Sequence, residues 1–232
     1  MNEGAPDRVL AYIPAFNEAA RIADVVRRTR ACPLVHKTIV VDDGSLDNTC
    51  TIAKQAGATV LRHEQNRGKG ASIATALNHF AAEPEAGFAI LLDADGRHDP
   101  AEIPKFLEAT RQTSAAIVIG NRMNNPREMP WLRRRVNQFT SWVTSHLARQ
   151  SIPDSQCGFR LLHRDTLAIL KFRSQHFETE TEMLIQTGRA GLKIASVPIA
   201  SIYDPTRASR IRPCRDTIRF FRLACRYWLS KS

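Results

Sequence analysis

Between residues 9 and 120, short apolar runs alternate with segments of helical period, and most of the runs end on acids or turn residues. Val9 to Ile13, Thr38 to Val41, Thr59 to Leu61, Phe88 to Leu92 and Ala116 to Ile119 have the length and content of buried strands. Between them Ile22, Val25, Val26 and Thr29 repeat on one helical face. Asp47 or Asn48 caps a helix that Gly57 ends, and Ala71 to Ala82 is helical. Asp99-Pro100-Ala101-Glu102 places a cap, a first-turn proline and an N3 acid in order. This alternation predicts an α/β fold with a mostly parallel, doubly wound sheet flanked by helices. The later half is less regular: helix over 131–149, extended chain over 158–162, helix over 179–188, extended chain over 194–199, and a last helix from Pro213 to Leu229. No linker or repeat interrupts it, so residues 1–232 read as one domain, with a nucleotide-type half (about 9–122), an acceptor-type half (about 123–212) and a C-terminal helix (213–232).

A parallel sheet collects the carboxyl ends of its strands on one edge, where ligands bind. Three such ends carry distinctive residues: Pro14 to Glu18, Asp42-Asp43-Gly44-Ser45, and Asp93-Ala94-Asp95. Two carboxylates one residue apart suit a hard divalent cation shared with substrate phosphates. Asp42 to Ser45 taken alone is a tight turn; beside a second acid-tipped strand, Asp43 also becomes a candidate acceptor for a base or a ribose. Gly68-Lys69-Gly70 lacks the rest of a Walker A motif, and either sets Lys69 near a diphosphate or forms a surface turn. His98 fits a ligand or a solvated loop equally. Arg122, after a strand, and Arg160, beside Gly158, suit phosphate or carboxylate, or ordinary surface ion pairs. Glu178, Glu180 and Glu182 open a helix, where acids are favoured by its dipole, and one of them could serve as a general base.

The chain carries a net charge of +10, which calls for an anionic partner. The surplus gathers at Arg133-Arg134-Arg135 and near the C-terminus. In the last helix Arg215, Arg219, Arg222 and Arg226 form one stripe beside Ile218, Phe221, Ala224, Cys225 and Trp228. Such a helix either lies on an anionic membrane surface or packs on the domain and shows its arginines to water. Aromatics are not interleaved with the arginines as base-stacking platforms, which argues against nucleic acid. No apolar run reaches the length of a membrane span, the N-terminus lacks a signal pattern, and five scattered cysteines read as free thiols. The expectation is a cytoplasmic location, peripheral on the cytoplasmic membrane face.

Taken in order, Pro14-Ala15-Phe16-Asn17-Glu18, Asp42-Asp43-Gly44-Ser45 with Asp47 and Thr49, Asn66 to Gly70, Asp93-Ala94-Asp95 with His98, Gly120 with Arg122, and Gly158-Phe159-Arg160 resemble family-two glycosyltransferases of the GT-A fold. Within that family the chain looks most like the dolichol-phosphate mannose synthase branch, over about residues 9–220. The resemblance implies a Rossmann-like sheet with a small acceptor-side subregion, a UDP- or GDP-linked sugar donor, and Mg²⁺ or Mn²⁺ held by Asp95 with Asp93. It implies that Pro14, Phe16, Glu18, Val41 and Asp43 line the nucleoside pocket. Asp93, Ala94 and Asp95 would face the sugar nucleotide, and Lys69, Arg122 and Arg210 the phosphates, with Ser209-Arg210 standing for a Ser-Lys pair. Arg134, Arg160 and Glu180 would face the acceptor. A lipid phosphate acceptor needs no base; a hydroxyl acceptor would use Glu182 first and Glu180 second. Two departures stand out. Arg97 replaces a metal-binding glutamine and, being all donor, cannot ligate a cation. Asp204 replaces an arginine, with Arg207 nearby to compensate. Arg97 would suit a non-catalytic binding module; a sugar-nucleotide pyrophosphorylase is opposed by the missing glycine-rich loop after the first strand.

Overall fold

The computed structural model describes residues 8–124, 129–171, 178–200 and 213–230. In chain order the elements are β1 (Val9–Ala15), α1 (Ile22–Arg30), β2 (Val35–Asp42), α2 (Thr49–Gln55), β3 (Thr59–Arg62), α3 (Lys69–Ala81), β4 (Phe88–Leu91), α4 (Ile103–Thr113), β5 (Ile117–Asn121), α5 (Trp131–Ala148), β6 (Arg160–His163), α6 (Glu178–Arg189), β7 (Ile194–Pro198) and α7 (Pro213–Leu229). The strands form one sheet in the order β3-β2-β1-β4-β6-β5-β7. β1, β2, β3 and β4 pair in parallel, as do β5 and β7, whereas β6 runs antiparallel to both its neighbours.

The apolar runs are strands because both their faces are covered. β4 and β5 are buried at every residue, the pattern of an α/β sheet with helices on both sides. Ile22, Val25, Val26 and Thr29 are the buried face of α1, as their spacing predicts. Asp99 caps as expected, its carboxylate accepting from Ala101 N at 2.9 Å, but the turn it starts is 3-10 over Pro100–Glu102 before α4 begins. Lys69 and Gly70 are already helical, so Gly68, at a φ of 95°, is the true end of the preceding loop. Pro14 and Ala15 continue β1 instead of turning.

The reversed strand has a consequence for the site. An antiparallel strand begins where its neighbours end, so β6 delivers the loop before it, residues 154–159, to the edge where β4 and β5 finish. Leu91 of β4 stands opposite Arg160 of β6. A second, smaller apolar cluster of Leu147, Ile185 and Leu223 joins α5, α6 and α7.

Candidate active site

β1 and β2 end in register, Ala15 beside Asp42, and their loops are tied together. Asn17 N donates to Ser45 Oγ at 2.9 Å, Leu46 N to Asn17 Oδ1 at 2.8 Å, and Glu18 N to Thr49 Oγ1 at 2.8 Å. Ala19 N donates to Asp47 at 3.1 Å. Asn17 sits at a φ of 50°, a left-handed conformation that asparagine tolerates better than most residues. Gly44, at a φ of 70°, has no alternative: a Cβ there would stand 2.5 Å from the Gln65 backbone. The buried Asp43 receives Arg67 N at 2.9 Å and Gly68 N at 2.8 Å, with His63 Nδ1 at 2.7 Å. Asp43 therefore binds the loop that leads into α3. Pro14 and Phe16 are half-buried along the same edge, Glu18 is buried 3.4 Å from Arg21, and the Val41 side chain is wholly inside the core.

Asp93, just beyond β4, is the centre of a charged chain. Lys69 Nζ, from the first turn of α3, lies 2.6 Å from Asp93 Oδ1 and 3.1 Å from Glu180 Oε2 on α6. His98 Nδ1 stands 3.8 Å from Asp93 Oδ2. Gly158 closes the other side, since a Cβ on it would fall 2.6 Å from Asp93 Oδ2. Burial by itself would raise the Asp93 carboxyl, but Lys69, then His98, then Arg122 outweigh it and hold the group well below the usual carboxylate range. For Lys69 burial works downward and is outweighed by Asp93 and Glu180, so the ammonium is held above the ordinary lysine range. His98 is buried, stacked on Phe159 with ring centroids 5.3 Å apart; desolvation holds its imidazole below the usual value against the pull of Asp93. It is thus a buried residue behind Asp93, and its expected alternative as a solvated loop histidine does not hold.

Asp95 has a side chain 30% exposed, level with Asp93 at 29%. Its Oδ1 accepts from Arg97 N at 3.0 Å, and Arg97 Nε folds back to 3.5 Å from Oδ2. The buried Arg97 Nε has no hydrogen-bond partner among the described residues. Asp93 and Asp95 offer only oxygen donors, the chemistry a hard cation requires. Among the described residues no cluster of three or more histidine, cysteine or acidic side chains is arranged to hold a metal. A Mg²⁺ or Mn²⁺ ion fits such a pair when it draws its remaining ligands from a diphosphate and water.

Three of the expected site residues are corrected by their surroundings. Arg122 Nε and Nη2 donate to the two oxygens of Asp154 at 2.8 and 2.9 Å, and Arg122 N donates to the same carboxylate at 3.1 Å. The fork that would have embraced a phosphate is filled by a buried partner, so Arg122 fastens the end of β5 to the 154–159 loop. Arg160 is fully buried and donates to the carbonyls of Cys157, Ser155 and Glu180 at 2.7, 2.7 and 2.5 Å, out of an acceptor's reach. Glu182 is fully buried and accepts from Tyr227 of α7 at 3.3 Å. Two residues apart on a helix, side chains point roughly 200° apart. Glu180 and Glu182 therefore face different neighbours, Glu180 meeting Lys69 and Glu182 meeting Tyr227. That spacing was available in the sequence; the partner Asp154, thirty-two positions from Arg122, left no local signal. Cys157 is inert behind the site, with burial pushing its thiol up to about 12. Arg134 stands exposed in the first turn of α5. Ser209 and Arg210, with Asp204 and Arg207, lie outside the described residues.

The family model described as glycosyl transferase family 2 matches residues 11–170. A UDP-N-acetylglucosamine–dolichyl-phosphate N-acetylglucosaminyltransferase of Methanococcus voltae is 34% identical over 224 residues, covering 87% of this chain and 88% of that protein. An undecaprenyl-phosphate mannosyltransferase of Micrococcus luteus is 30% identical over 210 residues, 84% of each chain. Among solved structures, glucosyl-3-phosphoglycerate synthase from Mycobacterium tuberculosis in complex with phosphoglyceric acid superposes with a TM-score of 0.69 at 25% identity, over 96% of this chain and 79% of that one.

Proposed function

We propose, from the premise that the chain belongs to glycosyl transferase family 2, that it moves a sugar from a uridine diphosphate donor to a polyprenyl phosphate. The M. voltae and M. luteus relatives support a lipid-phosphate acceptor by their names, and the former supports the uridine donor. The observation that carries the reading is the Lys69 bridge between Asp93 and Glu180, with the partly exposed Asp95 beside it at the sheet edge. It joins the donor acids to the helix of the acceptor half at one point.

A phosphate acceptor is ionised at neutral pH and attacks the anomeric carbon directly. The new C–O bond forms as the bond to the diphosphate breaks, with inversion, and the bonding pair leaves on the diphosphate oxygen. No side chain has to remove a proton. Glu180 is then needed to position Lys69 and, through it, Asp93. When bound, Mg²⁺ or Mn²⁺ held by Asp95 with Asp93 would supply positive charge to the departing diphosphate. Arg134, exposed on α5, is the candidate partner for the acceptor phosphate. We read both halves as one domain around this edge. No helix among the described residues is long and apolar enough to cross a membrane. In this reading the lipid-linked acceptor is met at the bilayer surface, on the cytoplasmic side, as the lipid-phosphate acceptors named for the relatives support.

The test is transfer from UDP-N-acetylglucosamine, UDP-glucose and GDP-mannose to undecaprenyl and dolichyl phosphate, with Mg²⁺, Mn²⁺ or EDTA, read by product mass. The expected product is the acceptor phosphate plus one sugar residue, formed from a UDP-sugar and lost with EDTA. Transfer only to a soluble hydroxyl compound such as phosphoglycerate would overturn the lipid assignment.

A further inference from the structure

α5 is built inside out. It turns Asn137, Ser141 and Thr144, with Leu147 and Ala148, toward the protein. It leaves Trp131, Leu132, Val136, Phe139 and Trp142 exposed. A surface helix that has only water outside shows the opposite arrangement. α7 repeats the inversion. It docks through Phe220 and Leu223 and leaves Ile218, Phe221, Trp228 and Leu229 exposed, so the apolar side read from its sequence faces outward.

The two outward faces are one surface. The Phe139 ring centroid lies 6.2 Å from Phe221 and 6.3 Å from Trp142. Trp142 is followed by His146 at 6.4 Å, and His146 stacks on Trp228 at 5.2 Å. All three tryptophans of the chain stand here, 75%, 66% and 64% exposed at Trp131, Trp142 and Trp228. The same two helices carry Arg133, Arg134, Arg135, Arg219, Arg222 and Arg226, and Asp216 is their single acid.

We infer that α5 and α7 together form a docking face for an anionic phospholipid bilayer, with the aromatic side chains seated at the headgroup level. This deepens the lipid-acceptor reading and rests on it. The charge decides between occupants. A second copy seated on this face would bring like-charged arginines against one another. An anionic lipid surface attracts each of them, and arginine stems can lie along it while their heads stay with phosphate. Tryptophan, with an apolar body and one donor, is the residue that favours that depth. The face is firmly tied to the site: Tyr227 of α7 donates to Glu182, receives Gln186 Nε2 at 3.0 Å, and its carbonyl accepts from Arg189, all on α6, the helix that presents Glu180. Docking α5 and α7 would thus hold the acceptor half at a set height above the lipid.

The experiment floats the full chain, with neither donor nor acceptor present, on vesicles of phosphatidylcholine alone or with one third phosphatidylglycerol, and records tryptophan emission. Flotation with the anionic vesicles and a blue shift are expected, both weaker on phosphatidylcholine. Trp142→Glu and Trp228→Glu should each reduce flotation at least tenfold, with the melting temperature and turnover on a short-chain, water-soluble polyprenyl phosphate unchanged. Absence of flotation, flotation indifferent to both substitutions, or a lipid-free dimer that Trp142→Glu dissociates would overturn the proposal. Vesicle binding is read without turnover, so its failure leaves the transfer reaction standing, and a failed transfer assay leaves the docking face standing.

Discussion

The two sides of β4 use charge in opposite ways. On the β1–β2 side, acids at strand ends collect backbone amides: Asp43 takes Arg67 N and Gly68 N, and Asp47 takes Ala19 N and Thr49 N. Their loops thereby frame an edge at which Asp95 remains near water. On the β6–β5 side the charges are sealed inside. Arg122 closes on Asp154, Arg160 spends its donors on carbonyls, and Glu182 is covered by α7. The difference separates charges left partly open to water from charges that hold a loop or a helix in place. Among the described residues, the chain Asp93–Lys69–Glu180 crosses between the two uses.

The largest effect should come from the acids that follow β4. Asp95→Asn is expected to lower turnover by about 10²–10³-fold with little change in melting temperature, comparable to losing one preorganised electrostatic contact. If turnover and its metal dependence both survive, the contrast between the two sides is wrong. Next is the contact where the sides meet. Gly158→Ala places a Cβ 2.6 Å from Asp93 Oδ2 and must displace the carboxylate. A displacement near 1 Å costs up to roughly 100-fold, which single-turnover kinetics would read as a fall in kcat.

A paired substitution sharpens the comparison further. Glu180→Gln should reduce kcat by about tenfold through a loosened Lys69 and also lower stability, since a buried ion pair loses one charge. Glu182→Gln should leave kcat near its original value and cost about 1–3 kcal/mol of stability, because a buried polar group loses its match. Urea unfolding beside steady-state kinetics measures both, and exchanged effects on kcat would give the positioning role to Glu182.

The smallest effect is one of pH. The Asp93 carboxyl is depressed in the fold, so its contribution to stability is present above the ordinary carboxylate range, near pH 4, and fades as the pH falls below it. The raised Lys69 ammonium contributes below about pH 10 and is lost as the pH climbs through its folded value. Lys69→Met removes the charge that most lowers Asp93, so the acid limb of the pH–rate profile should move to higher pH. A limb that stays in place would show that Lys69 does not control Asp93.

Much of the half from β1 to β4 was legible because its signals are local. Ile22, Val25, Val26 and Thr29 announced a buried helical face by their period, and Asp99-Pro100 announced a helix start. A parallel sheet then brings Asp43 and Asp93 to one edge by necessity, and both lie there. The half from β5 onward was harder to read. Arg122, Arg160 and Glu182 have the residue types of ligand contacts, and nothing beside them in the chain tells that they are buried. Their partners come from the reversed β6, from the 154–159 loop and from α7, at separations where no pattern of neighbours reports the pairing.

The alternation of strands and helices, the acids at the strand ends and the amphipathic pattern of α7 were all legible in the chain, because each follows from side-chain chemistry within a turn or two. Tertiary structure decided which charges are sealed against internal partners. That choice depends on burial and on partners brought from distant segments, and a buried ion pair and a substrate clamp use the same arginine.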